Sequence, residues 1–91
     1  MPRPCRQRRI RGKPGACYFK PAGIPRIQLQ ESVLSFAEFE AVRLKDYLGL
    51  EQIECTEKME VSQPTFHRIL LSARKKIAEA IVKGYVIKIE N

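Results

Sequence analysis

The stretch from Ser62 to Gly84, "SQPTFHRILLSARKKIAEAIVKG", limits what this chain can fold into more than any other. Apolar residues recur at Phe66, Ile69, Leu70, Ala73, Ile77 and Ile81, the three-and-four spacing that lines one face of an α-helix. Ser62 is an N-cap whose hydroxyl accepts an orphaned backbone N–H. Pro64 stands in the first turn, where a missing N–H costs little, and Gly84 tolerates the left-handed turn that stops a helix. His67, Arg68, Arg74, Lys75 and Lys76 fall mostly on the other angular positions. A core-facing stripe explains one side of this helix, Gln63 to Lys83, and the basic side needs its own account.

Two further helices precede it. "SFAEFEAVRLKDYLG" starts with Ser35 and has Glu38 three residues on, a capping box that satisfies two backbone donors reciprocally. Phe36, Phe39, Val42 or Ala41, Leu44 and Tyr47/Leu48 mark its buried side, and Gly49 ends it. A short acidic helix runs from about Glu51 to Met59. "YVIKIE", Tyr85 to Glu90, alternates as a half-buried strand does. A lone strand cannot satisfy its backbone, so its partner is expected within residues 16–30 or in another subunit. Five of the six prolines lie in the first 25 residues, where they interrupt helices and forbid a central strand. The reading is therefore a basic arm over 1–16, an extended docking segment over 17–34, a helical core over 35–84 and a C-terminal strand over 85–91.

Charge is segregated along the chain. Residues 1–30 hold eight Lys or Arg and no acid, 31–60 hold eight acids against three bases, and 61–91 hold six bases against two acids. The formal net charge of +7 over 91 residues favours polyanionic partners. No window approaches the roughly 20 apolar residues of a membrane span, and no apolar run follows the charged N-terminus as in an export signal, so no membrane partner is expected. Cys5, Cys17 and Cys55 are odd in number and lack a CxxC pair, which argues for free thiols in a reducing cytoplasm.

The unit from Leu50 to Leu70 has the spacing of a helix-turn-helix. Two helices crossing steeply need small residues at their contact, an apolar plug in the turn and apolar anchors on the second helix. Cys55 and Thr56 supply the first, Met59 and Val61 the second, and Phe66, Ile69 and Leu70 the third. Glu60 occupies a turn position that tends to φ > 0, at a modest strain for any residue but Gly. A recognition helix places its N-terminal side chains in the major groove, so Gln63, Thr65, His67 and Arg68 are the candidate base contacts. Ser62, Ser72, Arg74, Lys75 and Lys76 are candidate phosphate contacts, joined by Gln52 at the first turn of the acidic helix, where backbone N–H groups attract anions. The rest of that helix repels phosphate and is expected to face away from a duplex. A helix of about 30 Å exceeds what reading DNA requires, so its surplus turns are expected to pack on the first helix or on another subunit.

The plainer account of the basic face is a solvated helix surface, and of the N-terminal "PRPCRQRRIRGKP" a solubilising tail. In the functional account Arg6, Arg8, Arg9 and Arg11 thread a narrow minor groove. Cys5 and Cys17 alone cannot complete a four-coordinate zinc site, so no metal or other cofactor is expected. The carboxylates lack a paired His, a phosphate-binding loop or a nucleophile–base pair, which leaves no catalytic residue to name.

"PRPCRQRRI", "YFKPAGIP", "LSFAEFEAVRLKDYLGL" and "EKMEVSQPTFHRILLSARKKIAEAIVKG" together resemble a small, largely uncharacterised prokaryotic family of predicted DNA-binding proteins, whose core looks like sigma-factor region four. The resemblance spans nearly the whole chain and implies a three- or four-helix DNA-binding core with a regulatory role. Members often carry Gly in the turn and Arg at the first position of the recognition helix. Glu60 and Gln63 stand there in this chain, which shifts the expected first contact from guanine to adenine or a phosphate.

The expected protein is mainly α, a three-helix core with a helix-turn-helix, a basic N-terminal arm and short peripheral β-strands. It binds double-stranded DNA without catalysis, as a transcriptional regulator and a possible homodimer. The alternatives are an RNA-binding accessory protein and an interaction module that docks on RNA polymerase through its acidic helices.

Overall fold

A computed structural model describes residues 15, 17–25 and 30–90. The expectations for the arm, including Arg6, Arg8, Arg9 and Arg11, and for Cys5 lie outside these residues. The described chain is mainly helical, with strands β1 (Tyr18–Phe19), β2 (Glu31–Leu34) and β3 (Val86–Ile89) and helices α1 (Phe36–Val42), α2 (Gln52–Met59) and α3 (Gln63–Lys83). No helix in it is long and apolar enough to cross a membrane.

The strands form one sheet in the order β1-β3-β2. β3 pairs antiparallel with β1, setting Tyr18 opposite Lys88, and parallel with β2, setting Glu31 opposite Val86 and Leu34 opposite Ile89. The C-terminal strand thus finds one partner inside the expected window and a second just beyond it. All three helices lie between β2 and β3 in the chain, a long crossover of the kind parallel pairing requires. Val86 and Ile89 are buried from the centre of the sheet, and Ser32 and Leu34 from β2.

Helix α1 starts as its sequence dictates. Ser35 Oγ accepts the Glu38 N–H at 3.1 Å, and Glu38 Oε1 accepts the Ser35 N–H at 2.9 Å. After Val42 the helix widens into a π-helical turn, Arg43–Tyr47, in which the Leu48 N–H donates to the Arg43 carbonyl at 2.9 Å. Each π turn holds more residues than an α turn and so rotates everything after it around the axis. Leu44 stays buried, but Tyr47 and Leu48, expected on the buried side, are 81% and 48% exposed. Gly49 follows at φ +74°.

α3 is the spine shared by two apolar clusters. Its N-terminal half contributes Phe66 and Leu70 to a cluster with Ala41, Leu44 and Cys55, flanked by Met59, Val61 and Ile69. Its C-terminal half lays Ile77 against Leu34, Phe36 and Ile89. The surplus turns of this helix therefore pack on α1 and the sheet. Ile81, expected in the apolar stripe, is 74% exposed instead. Ala80 is buried beside it and takes the inward position that a strict three-and-four reading shares between the two.

The free-thiol expectation fails at Cys17, which is disulfide-bonded. An odd number of cysteines requires one to be left over and does not forbid one bond. Cys55 is free and fully buried, and burial pushes its thiol pKa up.

Candidate nucleic-acid interface

Three residues connect α2 to α3. Glu60 closes α2 in the left-handed region at φ 59°, ψ 47°, and is the one non-glycine with positive φ among the described residues. Its N–H donates to the Glu57 carbonyl at 3.3 Å, and the Val61 N–H reaches the Thr56 carbonyl at 3.1 Å, so two of the last carbonyls of α2 are satisfied. Met59 and Val61 pack against the first cluster, and Cys55 and Thr56 are buried where α2 meets its neighbours.

Ser62 caps α3. Its Oγ accepts the Thr65 N–H at 3.3 Å, and its hydroxyl pairs with Thr65 Oγ1 at 3.0 Å. Arg68 Nη2 also approaches Thr65 Oγ1, at 3.4 Å. The first turn of α3 contains no acid, which leaves the positive end of the helix dipole uncompensated by its own side chains.

The side chains of Gln63, His67, Arg68 and Lys75 are exposed. Arg68 and Lys75, seven residues apart, lie opposite the buried Phe66, Leu70 and Ala73, and Gln63 and His67, four apart, lie on the flank of the same helix. Gln63, His67 and Lys75 make no side-chain hydrogen bond among the described residues. Thr65 is half-buried and engaged in the cap, so of the four expected base contacts three project outward and one holds the helix end.

The expected phosphate contacts divide similarly. Ser72 Oγ donates to Glu38 Oε2 at 2.5 Å, and Lys76 Nζ donates to Glu38 Oε1 at 2.8 Å and to the Val33 carbonyl at 2.9 Å. Both side chains are thus directed at the protein's own body. Arg74 grips Asp46 with two hydrogen bonds, 3.0 Å from Nε and 2.5 Å from Nη2. Burial pushes the Glu38 carboxyl up, but the bonds from Lys76, Ser72 and the Ser35 N–H outweigh it and hold the pKa below its ordinary value. The Arg74 guanidinium likewise lowers Asp46. Lys75 alone of this group is exposed without a partner among the described residues.

At the start of α2 the chain supplies its own anions. Glu51 and Glu54 form a reciprocal capping box, with the Glu51 N–H donating to Glu54 Oε1 at 3.3 Å. The backbone donors beside Gln52 that were expected to meet a phosphate therefore already meet carboxylates. Asp46 and the tertiary role of Glu38 went unrecognised in the sequence, where Glu38 reads only as a capping residue. Among the described residues no cluster of His, Cys, Asp and Glu is arranged to hold a metal ion.

The family described as "Protein of unknown function DUF134" matches residues 1–91. This chain belongs to the DUF134 family. Its relatives include a UPF0251 protein of Caldanaerobacter subterraneus subsp. tengcongensis, 54% identical over 90 residues that cover 99% of this chain and 76% of the relative. A UPF0251 protein of Pelotomaculum thermopropionicum is 54% identical over 89 residues, 98% of this chain and 67% of the relative. One from Dehalococcoides mccartyi is 54% identical over 90 residues, 99% of this chain and 77% of the relative. No solved structure matches the DUF134 chain.

Proposed function

We propose that this protein binds double-stranded DNA without catalysis, using α2, its turn and α3 as a helix-turn-helix of the sigma region-four kind, and that it regulates transcription. The observation that carries the reading is the outward face of the capped end of α3, where Gln63, His67 and Arg68 stand exposed with no acid in the first turn. Gln63 suits adenine and Arg68 suits guanine or a phosphate, while Lys75, a full two turns further on, adds sequence-independent affinity. Ser62 and Thr65 hold the helix end in place. Ser72 and Lys76 set the helix against α1, Arg74 sets it against the π turn that follows, and all three serve the interface by rigidity more than by contact.

Fluorescence anisotropy with a labelled random duplex tests this. Affinity is expected to fall steeply with salt, and Lys75→Ala is expected to reduce the slope of log affinity against log salt by about one. Arg68→Ala should weaken binding by roughly tenfold, the scale of one good base or phosphate contact. Unchanged duplex affinity in both variants would refute the reading, and a preference for folded RNA in direct competition would favour the RNA-binding alternative.

A second reading has its own observation. Tyr47, Leu48 and Ile53 are exposed by 81%, 48% and 57% beside the acidic Glu51, Glu54 and Glu57, a surface suited to a basic, apolar protein partner such as a segment of RNA polymerase. Pull-down of polymerase by wild type but not by Ile53→Asp, with DNA binding unchanged, would support it.

A further inference from the structure

The C-terminal half of α3 carries an apolar seam that shares Lys75 alone with the proposed DNA face. Leu71, Lys75, Ala78 and Val82 follow one another at intervals of four, three and four residues, and Ala73 and Ala80, at 0% and 3% exposure, face the protein's own core on the opposite side. Leu71 is 48% exposed, Val82 81% and the adjacent Ile81 74%. Single exposed aliphatics are ordinary. Leu71, Ala78 and Val82 at heptad positions, with the aliphatic stem of Lys75 between them, have the spacing of the seam of a helix pair.

We propose that this seam is a homodimer interface in which the C-terminal halves of two α3 helices pack antiparallel. The two-fold axis passes at the level of Lys76 and Ile77, which places Leu71 opposite Val82 of the second copy and Lys75 opposite its Ala78. The small Ala78 lets the helices approach closely. Charge selects both the occupant and the direction. Lys75 lies in the seam and Glu79 beside it one turn on, where Glu79 also meets Lys83 of its own helix in an exposed pair at 3.5 Å. Reversal therefore brings each Lys75 beside the Glu79 of the other copy, twice over by symmetry. A parallel pair would stack Lys75 on Lys75. In the antiparallel register Leu70 lies level with Lys83 of the second copy, so the helix from Gln63 to Arg68 extends beyond the partner helix. The dimer rests on the exposed seam and not on DNA binding.

The seam is short, about 17 Å from Leu71 to Val82 at 1.5 Å per residue, and buries less than the roughly 800 Å² per partner of a standard interface. The dimer is therefore weak, and dissociates on dilution. Sedimentation velocity on the full chain, from low micromolar to near-millimolar concentration, should show the mass rise from the 10.5 kDa of the monomer to twice that value. Val82→Glu, at a position already in water, should raise the dissociation constant by about tenfold or more with an unchanged thermal midpoint. Lys75→Glu and Glu79→Lys should each weaken association, and the two together should restore it. A mass that stays at 10.5 kDa throughout would overturn the proposal. So would a Val82→Glu chain that dimerises like wild type, or a double reversal no better than its single changes.

Discussion

The Lys76 ammonium sits 2.8 Å from the Glu38 carboxylate, joining the first turn of α1 to the middle of α3 across 38 residues of sequence. The same carboxylate accepts Ser72 and caps its own helix, so one side chain fixes both the start of α1 and the rotation of α3. Glu38 is buried while Lys76 is half-exposed, which puts the pair between a solvated bridge and a sealed one. Glu38→Gln is expected to cost about 2 kcal/mol at neutral pH, because Lys76 and Ser72 lose a charged acceptor. Chemical denaturation followed by circular dichroism checks this.

The pH dependence follows from the same bonds. The Glu38 carboxyl is depressed in the folded protein despite burial, by Lys76, Ser72 and Ser35, and Asp46 is depressed by Arg74. A carboxyl with a lower pKa folded than unfolded contributes its full stability above the unfolded value and loses it as pH falls through the folded value. Wild type should therefore lose stability on acidification below the ordinary carboxylate range. Glu38→Gln should lose less, so that the two denaturation midpoints converge in acid.

Arg74 is a cation held in reserve by Asp46. Both side chains are substantially exposed, so the pair is worth under about 1 kcal/mol in stability. Asp46→Asn should leave the fold nearly as stable and free a guanidinium one residue from Lys75. Duplex affinity is expected to rise several-fold, with a steeper salt dependence by about one unit of slope. Anisotropy titrations at several salt concentrations measure both.

Glu60 adopts a left-handed backbone that glycine tolerates without a side-chain penalty. Glu60→Gly should stabilise the chain by up to about 1 kcal/mol, raising the thermal midpoint by about 4–8 °C in a domain of this size. A lowered midpoint would show that the Glu60 side chain contributes more than its backbone strain costs.

Local signals were the legible ones. The Ser35/Glu38 capping box, the Ser62 cap with Pro64, and the glycines at 49 and 84 each act within one turn, and the helices begin and end beside them. The burial of Cys55, Thr56, Phe66 and Leu70 and the packing of Met59 and Val61 beside them could likewise be read from spacing, because packing repeats with the helix. What could not be read depends on distant partners. Ser72, Arg74 and Lys76 look like solvated helix residues until Glu38 and Asp46 arrive from 28 to 38 residues away. The π turn at Arg43–Tyr47 leaves no residue signature, yet it rotates Tyr47 and Leu48 into water. Of the expected DNA face, Gln63, His67, Arg68 and Lys75 are the part that local periodicity placed outward without help from tertiary contacts.

Amide chemical-shift mapping of the labelled protein titrated with a duplex tests the central claim most directly. The account predicts that the shifts concentrate on the turn and the outward face of α3, at Ser62, Gln63, His67, Arg68 and Lys75, and fade when salt is added. Shifts confined to Tyr47–Glu54, or an unaltered spectrum at duplex excess in low salt, would contradict it.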